Sequence, residues 1–356
     1  MQKEIRESNF ELLRIVSMIF IVMHHYAIHG GFDSLSGGKY SPALLFVQIL
    51  LIGGKLGVNC FVLISGYFLV TSSESTSRIL RIWQQILFYS VLGWGIAFIM
   101  GEAALGNELF KALLPVISEE YWFASAYVLM CLFSPYLNRY IKALDARQLL
   151  KNICLMLIVW SVMPTIWDII PVNTKPSFQL NSFLWFCTLY MVAAYIRLYM
   201  NNEDKNEKYV RYFAIAIGTY FLIALSIFVF DFLGARFGIF KNSAFMFSSD
   251  NSVLMTVMSI SLFMGFRSIK LPANKVINKF AATTFGIYLI HDNKYMRSLI
   301  WRDTLKNGMF IDSPFLWAHA LFSVVAVFCT CAIIDMIRIK LFAFIRKVYR
   351  QGGLCI

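Results

Sequence analysis

What this chain has least of is charge. Asp, Glu, Lys and Arg make up 15% of its 356 residues, against 59% hydrophobic residues and a mean hydropathy of +0.65. A soluble domain carries about 25% charged residues, so the deficit excludes an ordinary soluble fold. No Gly-rich phosphate loop, HExxH or GxSxG stretch occurs, which removes the common signatures of nucleotide binding, zinc proteolysis and serine hydrolysis. The seven cysteines form no CxxC and no metal-like spacing, so no metal is expected. Six lie in apolar segments and read as small core residues without disulfides; Cys355, second from the end, is not in a prenylation box. There is no low-complexity tract, no clear repeat and no linker long enough to separate a pair of domains. Residues 1–356 read as one membrane-embedded domain with no soluble module.

What the chain does have is repeated apolar blocks of about twenty residues, the length that crosses a hydrocarbon core. The expected fold is all-α: a polytopic transmembrane helix bundle with spans at 10–28, 43–70, 79–100, 120–137, 149–166, 182–200, 210–233, 252–267, 276–300 and 315–337. The first block is too long and too interrupted by charge to be a cleavable signal peptide. The second is long for one straight helix, and its GGKLG run at 53–57 predicts a break or re-entrant entry there. Leu109–Ile117 is apolar but short, which fits an interfacial or re-entrant piece. With the N-terminus inside, about two-thirds of the 32 Lys and Arg fall on the inner loops, so both termini are expected in the cytoplasm. The net charge of +12 is thereby a topology signal. The basic residues are divided among short loops, which argues against nucleic acid as a partner.

The stretch around which the rest is arranged is FELLRIVSMIFIVMHHYAI, Phe10 to Ile28. It carries Glu11, Arg14, His24 and His25 in an otherwise apolar helix, and ionisable groups at that depth mark function by default. Eleven helical steps separate Arg14 from His25, about 20° from three full turns, so both lie on one face about 16 Å apart along the axis. His24 lies about 80° away, while His29 returns to the stripe. The competing reading makes Glu11 and Arg14 headgroup anchors and places the histidines at the opposite interface.

Other polar groups in apolar surroundings complete the candidates. Arg78 and Arg81 form an RxxR pair on one helical face, suited to a phosphate-bearing ligand or serving as ordinary positive-inside anchors. GVNCFVLISGYF carries Asn59, Ser65 and Tyr67, as helix packing, polar lining or oxyanion donors. EEYWFASAY opens another span with Glu120 and Trp122, either an aromatic belt or the mouth of a site. FGIYLIHDN ends with His291 beside Asp292 at the outer side, and His319 reads as interfacial.

In these segments the chain resembles the bacterial membrane acyltransferases of the acyltransferase type 3 superfamily. The resemblance spans nearly the whole chain: ELLRIVSMIFIVMHHY with its R-x10-H spacing, GVNCFVLISGYF, RILR, YWFASAYVLMCLFSPYLN and FGIYLIH, in that order. It implies a multi-pass protein of the bacterial cytoplasmic membrane that moves an acyl group from acetyl-CoA to a surface or exported carbohydrate, free or lipid-linked. By matched position it implies that His25 and Arg14 are required for transfer and that Arg78 and Arg81 serve the coenzyme. Many members carry an acid where Asn59 stands, and many carry an extracytoplasmic hydrolase-like domain that this sequence lacks. His25 is suited to act as a general base or to be acylated transiently. Two other classes stay open: a transporter or flippase for a lipid-linked glycan, and a non-catalytic membrane subunit with pH-responsive histidines.

Overall fold

The apolar run that follows Glu7 contains no proline or glycine, and it forms one helix, α1, over Ser8–His29. Gly30 and Gly31 end it, the latter at φ 74°, a conformation that a side chain would strain. A computed structural model describes residues 7–32, 35, 41–72, 76–169, 181–200, 205–238 and 243–351. Helix α2 (Pro42–Leu69) starts with proline at its first turn, and the Ser41 side chain accepts a hydrogen bond from the Leu44 amide. The chain continues through α3 (Thr76–Ile99), α4 (Asn107–Leu113), α5 (Trp122–Lys142), α6 (Ala146–Leu157) and α7 (Met163–Ile169). It goes on through α8 (Ser182–Tyr199), α9 (Lys205–Phe237), α10 (Val253–Ser268), α11 (Lys275–Ala281), α12 (Thr284–His291), α13 (Lys294–Ser298) and α14 (Leu316–Gln351).

Among the described residues, seven helical stretches are long and apolar enough to cross a membrane: 8–29, 42–69, 77–99, 146–169, 182–199, 208–237 and 316–348. The remaining expected spans, 120–137, 252–267 and 276–300, fall on helices that are more polar, shorter or broken. The protein is an all-helical, multi-pass membrane protein. The short α4 sits where the interfacial piece was expected.

The break expected at GGKLG does not occur. Helix α2 runs unbroken through 53–57, and the glycines serve contact with α1 instead. A methyl group at Gly54 would overlap the His24 ring, one at Gly57 the carbonyl of Ser17, and one at Gly53 would crowd Phe20. Lipid provides no hydrophobic drive between helices, so close backbone approach over small residues is what holds such a pair. Lys55, which made the run look like an interruption, places its ammonium 4.5 Å from the centroid of the Trp122 ring.

The break lies in 276–300. Thr283 turns its hydroxyl back to the Phe280 carbonyl, and Asn293 caps α13 by accepting from the Tyr295 amide. These polar side chains compete with the helical ladder, so the expected single span becomes α11, α12 and α13. Non-helical backbone at membrane depth is tolerated where protein surrounds it. Here α12 is packed against α1, α3 and α14. A second irregularity, the π turn Ile158–Val162, precedes Pro164, which offers no N–H to the Trp160 carbonyl; Asn251 donates to that carbonyl at 2.8 Å.

Candidate active site

Helical geometry carries His25 and His29 to the end of α1 that faces α12, and the break after α12 brings Asp292 to meet them. The polar chain starts at a backbone atom. His291 Nδ1 lies 2.6 Å from the Ile287 carbonyl, which can only accept, so Nδ1 carries the hydrogen. With the ring neutral, His291 Nε2 is then an acceptor, and it lies 2.7 Å from His25 Nδ1. His25 must therefore donate from Nδ1, which leaves the lone pair on its Nε2. Both rings are buried, His291 completely and His25 with 7% exposure.

His25 Nε2 lies 3.5 Å from Asp292 Oδ1, and His29 Nε2 lies 3.4 Å from the same oxygen. Arg297 reaches that oxygen too, at 2.9 Å from Nε and 2.8 Å from Nη2. The carboxylate is 1% exposed, and a charge so buried is tolerable only when paired. Asn293 donates to Tyr121 Oη at 2.7 Å, and Tyr121 donates to the Leu289 carbonyl at 3.1 Å, which fixes the turn carrying Asp292. The Tyr288 ring packs edge-on to His291 at 6.5 Å, and its buried hydroxyl, with no hydrogen bond of good geometry, interacts with the Asp292 carboxylate.

His24 and His25 diverge. His24 Nδ1 donates to the Leu51 carbonyl of α2 at 2.8 Å, while His25 turns to α12. The other candidates fall into separate groups. Asn59 is fully buried: it donates to the Asp250 carbonyl at 2.7 Å and to Ser259 at 3.2 Å, and it accepts from Trp185 at 3.1 Å. It ties α2 to α8 and α10 and does not meet His25. Ser65 binds the Tyr127 hydroxyl at 2.9 Å and Tyr67 accepts from Arg197 at 3.1 Å. Glu120 pairs with Lys294 at 3.3 Å, and Trp122 lies under Lys55.

At the Ser8 end of the bundle, Arg14 pairs with Glu11 at 3.3 Å. The RxxR pair is divided. Arg78 donates to Ser72 at 2.9 Å, whereas Arg81 lines a groove of about 1040 Å³ together with Arg338 and Arg346 of α14. Asp335, fully buried, accepts from Arg338 at 2.7 Å and from Tyr89 at 2.7 Å, which aims the Arg338 guanidinium. A methyl group at Gly286 would overlap the Asp335 carboxylate, so α12 and α14 meet at this pair.

Residues 7–336 match the family model described as an acyltransferase domain. The chain belongs to the acyltransferase type 3 superfamily. No curated protein and no solved structure matches it. It is a membrane acyltransferase, and His25, His29, His291 and Asp292 meet in one cluster within it. The ligand atoms of His25, His29 and Asp292 lie within 4.8 Å of one another, close enough to hold a metal ion. Arg297 opposes this by placing a guanidinium on the same carboxylate oxygen. Arg297 and Tyr288 are reached only by the fold, whereas the sequence hints at His29 through its return to the α1 stripe and at Asp292 through the HDN that ends an apolar run.

Proposed function

We propose that this acyltransferase moves an acyl group, acetyl in the first instance, from cytoplasmic acyl-CoA to a hydroxyl of an exported or cell-surface carbohydrate. The observation that carries the reading is the His25 ring, held at 2.7 Å from His291 through Nδ1 and with Nε2 3.5 Å from a buried carboxylate. A base needs a lone pair aimed at the reacting proton and a partner for the charge it gains; Nε2 supplies the first and Asp292 the second.

The step balances as follows. His25 Nε2 takes the proton of the acceptor hydroxyl as its oxygen bonds to the thioester carbonyl carbon. The resulting imidazolium is stabilised by Asp292. On collapse the C–S bond breaks, and the coenzyme sulfur leaves with the proton returned by His25. The oxyanion requires a donor. Of the donors near the cluster, the Tyr288 hydroxyl makes no hydrogen bond of good geometry and sits beside Asp292, whereas Asn59, Ser65 and Tyr67 are engaged elsewhere.

The positive-inside bias puts the Ser8 end in the cytoplasm. There Arg81, with Arg338 and Arg346, lines a groove suited to the phosphates of the donor, and Arg78 stands one turn earlier on α3. Arg14 lies on the stripe that leads toward His25. A bacterial cytoplasmic membrane is the setting that this reading requires. Mass analysis of surface polysaccharide from cells with and without the gene tests it: an acyl mass should disappear with the gene. An unchanged polysaccharide, together with no acyl transfer by purified protein to any carbohydrate, would overturn it.

A further inference from the structure

Beyond α1, at the His29 end, lies a second depression that the chemistry above does not use. It encloses about 490 Å³ and is lined by Gly30, Gly31, Gly308, Arg302 and Lys306, with no acidic residue on its described walls. Three features distinguish it from an ordinary loop surface. Arg302 belongs to a π turn, Leu299–Thr304, and its Nε lies 3.4 Å from the His29 carbonyl, directly beside the histidine cluster. Widened turns of this kind recur at functional sites. Lys306 adopts φ 52°, ψ 43°, the left-handed region, at a cost that a non-glycine residue bears where the surroundings impose it. The glycines keep the floor low: a side chain at Gly308 would strike the Gly31 carbonyl, and one at Gly31 would be strained by its φ of 74°.

Neither cation pairs with a carboxylate among the described residues, although both stand exposed at the same mouth. Two unneutralised cations over a floor of backbone make an anion site. Gly30 is five residues past His25 and so about 7.5 Å further along the axis, a separation that a pair of linked sugar units can cover. We infer that this depression binds the carboxylate or phosphate of the carbohydrate acceptor, so that the acceptor is an anionic glycan whose neighbouring sugar presents its hydroxyl to His25. The inference rests on the acyl-transfer reading for the role of the bound glycan, but not for the binding itself.

The test is therefore direct binding, with purified full-length protein in nanodiscs, of an oligogalacturonate and of a neutral galactose oligomer of equal length. Wild type, His25→Ala and the double variant Arg302→Gln/Lys306→Gln are compared, each at low and high salt. The acidic oligomer should bind wild type and His25→Ala alike. The neutral oligomer, and the acidic oligomer on the double variant, should bind about tenfold or more weakly, the factor that loss of one charge-assisted hydrogen bond produces. Added salt should weaken the acidic oligomer on wild type. Equal affinity for the two oligomers, no binding of either, or an unchanged affinity in the double variant would overturn the site. Selective binding that persists in a protein unable to acylate any glycan would leave the site standing and remove the acyl-transfer reading instead.

Discussion

His291 Nε2 lies 2.7 Å from His25 Nδ1, and the direction of that hydrogen bond is dictated by a backbone carbonyl one helical turn away. The Ile287 carbonyl holds the hydrogen of His291 on Nδ1, so the ring-to-ring bond places the lone pair of His25 on Nε2. On the proposed mechanism, His291 is then a positioning residue for the base. His291→Gln, whose side-chain oxygen can still accept from His25, should keep a fraction of the turnover. His291→Phe should lower kcat by about a hundredfold, within the range of general-base effects, and leave KM for the donor nearly unchanged. The pH–rate profile separates this from simple misfolding: Phe should shift it and Gln should restore it. Equal loss in both variants with an unchanged profile would reduce His291 to packing.

His25→Ala should abolish acyl transfer while the protein still inserts and retains affinity for the coenzyme. His24→Ala should remain active, since His24 is spent on the Leu51 carbonyl and on contact with Gly54. Its cost should appear in stability, about 1 kcal/mol for one lost neutral hydrogen bond. Turnover and thermal unfolding of both variants check this. The reverse pattern, an inactive His24→Ala and an active His25→Ala, would move the base to the other ring.

Removal of the Tyr288 hydroxyl should tell whether it meets a developing oxyanion. Tyr288→Phe keeps the ring that packs against His291 and Phe123. A lost oxyanion donor costs about 10²–10³ in kcat, with donor binding unaffected. A kcat within twofold of wild type would take Tyr288 out of the reaction.

Donor binding separates the arginines. Arg81→Ala, Arg338→Ala and Arg346→Ala should each weaken binding of a non-hydrolysable acetyl-CoA analogue. Arg78→Ala tests the neighbour that turns to Ser72 instead of the groove. Lysine at 81 should rescue only partly, because a point-charge ammonium lacks the two-pronged contact that a guanidinium makes with phosphate. Wild-type affinity in the Arg81, Arg338 and Arg346 variants would leave the groove without a role in donor binding.

Asn59 predicts a purely structural effect. Three hydrogen bonds converge on its buried amide from α8, α10 and the segment before α10. Asn59→Leu should destabilise the protein by about 1–3 kcal/mol through the partners left unsatisfied. Turnover per folded molecule should stay close to wild type. A selective loss of kcat with unchanged unfolding would return Asn59 to the active site.

The sequence by itself determined that the chain lives in a membrane, because that needs only the length and polarity of its apolar runs. It also determined that Arg14 and His25 share a face, because a helix fixes angular position within one segment. Its expectation of a break at GGKLG failed for a physical reason: the cost of glycine in a helix is offset where a neighbouring helix packs closely over it, and α1 lies against 53–57. That neighbour is invisible in local sequence. Only the tertiary structure decided that the true interruption follows His291, that His25 and not His24 meets it, and that RxxR splits between Ser72 and a groove shared with α14. The histidine pairing and the groove shared with α14 depend on which helices are neighbours across more than two hundred residues of chain, with His25 and His291 separated by 266 positions. Periodicity carries no information about such contacts. The direction of a hydrogen bond, and with it the side of the imidazole on which a lone pair lies, exists only once those helices have met.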